Sequence, residues 1–229
     1  MTTKSGRPAL VLLSGGLDSS VLLHLAARRL HDAVHAISFD YGQRHARELD
    51  CATRQAAAAG VAEHRIVNAS FFAELVRGGT SLVRGGAEVP DLADLAAADR
   101  AQPPTYVPNR NMMLLSMAAA HAEASGIHDV YYGAQAQDEY GYWDCTPAFL
   151  AGINAVFALN RRTPVVVHAP LMHQSKADNV RMGLELGVDF AQTWSCYRGG
   201  DSACGTCPTC VERLKAFAAA GVEDPIPCA

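Results

Sequence analysis

Short apolar runs alternate along the chain with longer segments in which apolar residues recur every three or four positions, the mark of strands alternating with helices. Residues 8–13 are a Leu- and Val-rich run that stops at Ser14-Gly15-Gly16. Beyond it Val21, Leu22, Leu25 and Ala26 follow a helical period, so residues 8–30 predict strand, tight turn and helix. Residues 33–39 predict a second strand closed by Asp40-Tyr41-Gly42, residues 44–59 a helix stopped at Gly60, and residues 64–67 a third strand. A helix over 109–125 ends at Gly126 and is followed by a buried strand at 129–134, a helix at 147–159 and a short strand at 165–167. Ser175 and Asp178 have capping-box spacing, for a helix that runs to Leu186 and stops at Gly187. A last helix covers 208–220 and stops at Gly221.

Residues 77–105 break this rhythm with Gly78-Gly79, Gly85-Gly86, Pro90 and Pro103-Pro104, leaving room only for a turn or two of helix over 92–98. A connection of that length inside a compact domain is usually functional or mobile. The alternation predicts an α/β fold, a Rossmann-like parallel sheet of about five strands with helices on both faces. Residues 1–190 are expected to form the α/β domain that carries the ligand site, and residues 191–229 a cysteine-bearing and helical segment packed on it. Ligands in such folds sit beyond the carboxyl ends of the strands. The segments after Leu13, Phe39 and Gly133 all leave such ends and should converge.

Composition narrows the partners. The chain has 229 residues, 49% apolar and 18% charged, which suits a globular core. No apolar run approaches the ~20 residues that cross a bilayer, and the run near the N-terminus is too short for a secretion signal, so a cytoplasmic protein is expected. Net charge is −4 and no Lys/Arg run exceeds two residues, which argues against a nucleic-acid partner.

Chemistry concentrates in two places. In Ser14-Gly15-Gly16-Leu17-Asp18-Ser19-Ser20 the glycines let the backbone approach an anion, and the serines add hydroxyl donors. The next helix presents its unpaired N–H groups and positive dipole end. The string lacks the Gly-Lys-Ser/Thr of a Walker loop and the glycine spacing of a dinucleotide fingerprint. The second place is Cys196, Cys204, Cys207 and Cys210, four thiols within fifteen residues. Gly199, Gly200 and Gly205 supply the tight reversals a metal knuckle needs. Four thiolates suit a closed structural zinc site; an iron–sulfur cluster is the competitor.

The loop resembles the pyrophosphate-binding loop of the ATP-pyrophosphatase superfamily, whose members cleave ATP between the α- and β-phosphates and adenylate an oxygen. Further strings are similar to the 7-cyano-7-deazaguanine synthase family of queuosine biosynthesis: Phe39-Asp40-Tyr41-Gly42-Gln43-Arg44-His45, Val107-Pro108-Asn109-Arg110-Asn111, Gly141-Tyr142 with Asp144-Cys145, Pro170-Leu171-Met172 with Lys176-Ala177, and the four cysteines. They run in order from residue 12 to 210. The resemblance implies an adenine nucleotide alpha hydrolase-like fold, a homodimer, ATP, Mg²⁺ and structural Zn²⁺. It also implies an ATP-dependent carbon–nitrogen ligase that turns 7-carboxy-7-deazaguanine and ammonia into the 7-cyano base through an acyl-adenylate and an amide.

That reaction suggests roles. Leu13, Ser14, Gly15, Gly16, Leu17, Asp18, Ser19 and Ser20 would hold the nucleotide, with Tyr41 and His45 on the adenine side. Asp18 would help hold Mg²⁺, or only cap its helix. Lys176, one of three lysines, would neutralise the α-phosphate, or stand exposed in a first helical turn. Arg110 would grip the acceptor's carboxylate bidentately, or pair with a nearby acid. Gln135, Asp138, Tyr142, Trp143 and Asp144 would hold the deazapurine by stacking and hydrogen bonds, or pack as a lid.

Two strings depart from the family. Its usual Ser-Gly-Tyr-Pro-Asp-Cys-Arg is here Tyr140-Gly141-Tyr142-Trp143-Asp144-Cys145-Thr146, and its Val-Pro-Gly-Arg-Asn has Asn109 in place of the glycine. The acceptor half therefore stays open to a relative that stops at the amide or passes the acyl group to another amine. A tRNA-thiolating enzyme with the same kind of loop would need a basic RNA-binding face.

Overall fold

The computed structural model describes residues 4–44, 47–96, 102–135 and 142–229. Five parallel strands, β1 (Ala9–Leu12), β2 (Val34–Asp40), β3 (Glu63–Asn68), β4 (Asp129–Tyr131) and β5 (Val166–His168), form one sheet in the order β3-β2-β1-β4-β5. Strand order reverses beside β1, which pairs with β2 on one side and β4 on the other. That crevice is where ligands of open parallel sheets bind.

The helices are α1 (Leu17–Leu25), α2 (Arg47–Ala59), α3 (Phe71–Val76), α4 (Arg110–Ala124), α5 (Pro147–Phe157), α6 (Lys176–Glu185) and α7 (Pro208–Ala220). Two apolar cores flank the sheet. One joins Leu10, Ile37 and Val130 to Leu115 of α4, Trp194 and the cysteine segment. The other joins Val11 and Ala36 to Leu22 of α1, Val180 of α6 and Phe217 of α7. The C-terminal segment thus contributes to both cores.

The helix expected over 18–30 is α-helical only to Leu25 and closes as a π-helical turn, Ala26–Leu30. His31 N–H then reaches back to the Ala26 carbonyl at 2.9 Å. Arg44 stands before α2 and not within it. Its side chain donates to the carbonyls of Ser81 (2.6 Å), Gly86 (2.7 Å) and Ala87. With Val83 and Val89 in the core, the 81–89 part of the connection is anchored instead of loose. Of the helix expected over 92–98, the described residues form one 3₁₀ turn, Leu92–Asp94.

Helix α3 carries no periodic signal long enough to read. The strand expected over 129–134 ends at Tyr131, because the chain must leave the sheet to line the crevice. The Ser175–Asp178 capping box forms as expected, Ser175 Oγ accepting from Asp178 N at 3.1 Å. Asn109 is the one non-glycine with positive φ (+54°) among the described residues. It fills a left-handed position that asparagine tolerates better than other side chains, which explains its stand-in for a glycine.

Candidate active site

A cavity of about 290 Å³ opens at the carboxyl ends of β1, β2 and β4. The 14–20 loop forms its floor and fixes itself internally. Ser14 and Ser19 hydroxyls lie 2.9 Å apart, Gly16 N donates to Ser14 Oγ (3.2 Å), and Ser20 Oγ donates to the Gly16 carbonyl (2.7 Å). Gly15 has φ +86°, and a β-carbon there would run into the Glu48 carbonyl of α2. Trp194 N donates to the Gly15 carbonyl at 2.9 Å from the other side. Clamped this way, the loop leaves the N-terminus of α1 without a side-chain cap, its free N–H groups available to an anion.

Leu13, Ser14, Gly16, Leu17, Asp18 and Ser19 line the cavity. Gly15 and Ser20 are not among its lining residues; they shape the loop from behind. Asp18 does not cap α1. Its Oδ1 accepts from Asn179 Nδ2 at 2.8 Å, and its Oδ2 lies 4.0 Å from Lys176 Nζ. Lys176, the first residue of α6, also pairs with Glu212 of α7 at 2.7 Å and is only 20% exposed. An ordinary solvated first-turn lysine would show neither feature.

Arg110 heads α4, and its guanidinium lies 6.0 Å from the centre of the Tyr41 ring. Among the described residues, Glu48 and Asp144 are acids that feel its charge. Burial pushes the Glu48 carboxyl up to about 7, against the pull of Arg110 and with a further push from Cys196. Asp144 is likewise raised by burial and opposed by Arg110. Tyr41, Gln135, Tyr142 and Asp144 all line the cavity beside Arg110.

Trp143 does not. It is 42% exposed, packs edge-on against Phe149 and donates its indole N–H to Tyr106 Oη at 2.7 Å. The short turn Trp143–Cys145 places Tyr142 and Asp144 in the cavity lining and leaves Trp143 out of it. Tyr142 itself stacks on Tyr106 and shares a 2.9 Å hydrogen bond with Thr105 Oγ1. His45 and Asp138 lie outside the described residues.

The sequence reading missed Glu48, Tyr132 and Glu212, which line the same cavity. Glu48 could have been noticed as an acid in the first turn of a helix just past the Asp40 string. Tyr132 could have been noticed as a polar aromatic closing an apolar strand.

The four Sγ atoms of Cys196, Cys204, Cys207 and Cys210 lie within 4.8 Å of one another. Tetrahedral zinc with Zn–S bonds of ~2.3 Å needs sulfur spacings of about 3.8 Å, so the set fits a metal with little movement. Backbone N–H groups of Cys204 and Cys207 already point at Cys196 Sγ (3.4 Å) and Cys204 Sγ (3.3 Å). Such N–H donors temper thiolate charge. The knuckle also reaches the loop: Trp194 Nε1 donates to the Cys196 carbonyl (3.2 Å), and the Arg47 guanidinium stacks 3.9 Å over the Trp194 ring. No helix among the described residues is long and apolar enough to cross a membrane.

The family model described as queuosine biosynthesis protein QueC matches residues 8–221. A 7-cyano-7-deazaguanine synthase from Marinobacter nauticus is 46% identical over 217 residues, covering 94% of this chain and 95% of that protein. One from Thermoplasma acidophilum is 45% identical over 224 residues, covering 96% and 91%.

Proposed function

The chain belongs to the QueC family of queuosine biosynthesis proteins, and on that premise we propose that it converts 7-carboxy-7-deazaguanine and ammonia to 7-cyano-7-deazaguanine at the expense of two ATP. The observation that carries this reading is one cavity lined by both a phosphate-type loop and the Arg110 cluster. Nucleotide and acceptor can meet there.

The acceptor carboxylate attacks the α-phosphate, giving an acyl-adenylate and pyrophosphate. Ammonia displaces AMP to give the amide. The amide oxygen attacks the α-phosphate of a second ATP, releasing pyrophosphate, and loss of AMP and the two amide protons leaves the nitrile. The 14–20 loop and the N-terminus of α1 receive the departing pyrophosphate through backbone N–H groups. Lys176, poised between Asp18 and Glu212, moves to the α-phosphate once nucleotide charge outcompetes them. Arg110 orients the acceptor carboxylate, with Tyr142 against the flat base and Asp144 and Gln135 on its polar edges. Tyr41 lies beside Arg110. Asp18 is the residue that would hold Mg²⁺, which when bound offsets charge on the triphosphate. The four cysteines would hold zinc as a structural ion, keeping Trp194 against the loop.

The same reading has the chain act in the cytoplasm as a homodimer, on small molecules and not on nucleic acid, in line with its net charge of −4. Mass spectrometry of the products from 7-carboxy-7-deazaguanine, ATP, Mg²⁺ and ammonium tests it. The nitrile is expected. An amide as the end product supports the divergent acceptor chemistry, and no product from the acid overturns both.

A further inference from the structure

Two polar groups in the cavity wall are left without a partner by the described residues. The Tyr132 hydroxyl and the Gln135 carboxamide nitrogen have no hydrogen-bond partner among the described residues. Both residues line the cavity, yet they are only 5% and 4% exposed. A buried donor without an acceptor is costly, and native folds keep few of them. Two such donors facing one cavity point to a ligand that completes them.

Their placement says which part of the ligand. They flank Gly133 on the stretch leaving β4, where a β-carbon at Gly133 would come within 3.3 Å of the Ser19 nitrogen. That close packing fixes the stretch against the phosphate loop. On the other side Tyr132 neighbours Asp144 and Cys145; burial, reinforced by these two, keeps its phenol protonated. Tyr132 and Gln135 therefore offer neutral donors between the loop and the Arg110 corner.

Neutral donors do something Arg110 cannot. The acceptor enters as a carboxylate but must remain bound as an uncharged amide while the first AMP leaves and a second ATP arrives. An ion pair with Arg110 loses most of its strength at that point. We propose that Tyr132 and Gln135 hydrogen-bond the oxygen-rich edge of the deazapurine, its 6-oxo group and the neighbouring acyl oxygen, and so retain the amide between the two adenylations. This rests on the two-ATP reading above.

The experiment is Tyr132→Phe, which removes one oxygen. Amide and nitrile released from 7-carboxy-7-deazaguanine are quantified, and KM is measured for added 7-amido-7-deazaguanine and for ATP. We expect the amide-to-nitrile ratio and the amide KM to rise about fivefold to tenfold, the worth of one neutral hydrogen bond, with the ATP KM unchanged. The melting temperature of the ligand-free protein should hold or rise, since an unpaired buried hydroxyl is lost. An unchanged ratio and amide KM overturn the inference while leaving the enzyme reading intact. A lower melting temperature with both KM values raised together also overturns it, by showing a packing role. Failure of the unaltered protein to make nitrile overturns the inference together with the reading it rests on.

Discussion

At the 14–20 loop end of the cavity, the lining groups are backbone amides and short hydroxyls locked to one another by the Ser14, Ser19 and Gly16 hydrogen bonds. At the other end they are long side chains carried in from separate segments: Tyr41 after β2, Arg110 on α4, Tyr132 and Gln135 after β4, and Asp144 before α5. The first end is finished before any ligand arrives. The second carries donors without a partner among the described residues and an acid, Asp144, raised by burial. A preorganised backbone cradle suits a constant ligand such as a triphosphate. A wall of separate side chains suits a ligand that changes charge during the reaction.

If the loop is finished in advance, damage to it should be severe and general. Gly15→Ala forces a β-carbon into the Glu48 carbonyl at a positive φ. We expect a loss of about 3 kcal/mol or more in stability and no measurable pyrophosphate release, read by thermal melts and a pyrophosphate assay. Near-normal turnover would mean that the loop is pliable and the contrast false.

Damage at the other end should be selective. Arg110→Lys keeps the charge and loses the planar fork, so the KM for 7-carboxy-7-deazaguanine should rise about tenfold to a hundredfold with little change for ATP. Equal effects on both substrates would merge the two ends into one.

Glu48 sits between them, its backbone against Gly15 and its carboxyl near Arg110. The carboxyl titrates near 4.5 when unfolded and is pushed up to about 7 when folded. The folded state therefore binds the extra proton between these values, and stability falls as pH rises from about 4.5 to 7. Glu48→Gln should flatten that slope and stabilise the protein by about 2 kcal/mol at pH 8, with little gain near pH 5. Melts at the two pH values give the answer; a gain larger at pH 5 reverses the sign and sinks the assignment.

The smallest effect belongs to Asn109. Asn109→Gly should be neutral or slightly stabilising, whereas Asn109→Ala should cost about 1 kcal/mol in thermal or denaturant melts.

The same contrast explains what could be read before the fold was seen. The phosphate loop and the cysteines are contiguous strings whose chemistry depends on neighbours in sequence, and the capping box at Ser175 is equally local. Asn109 was visible as a departure, though only its backbone angle gave the reason. The acceptor wall is different. Tyr132 looks like any strand-ending aromatic until the sheet buries it beside Gly133. Trp143 carries a base-stacking side chain but turns it away toward Phe149. The π-helical close after Leu25 and the anchoring of residues 81–87 by Arg44 likewise depend on contacts across the fold.

The central claim is that the nucleotide serves to activate an oxygen of the acceptor, twice. Turnover of 7-carboxy-7-deazaguanine labelled with ¹⁸O in both carboxylate positions tests it, with AMP isolated and weighed by mass spectrometry. The account predicts two AMP for each nitrile, each carrying one labelled oxygen. Unlabelled AMP, or ADP and phosphate in its place, would contradict it.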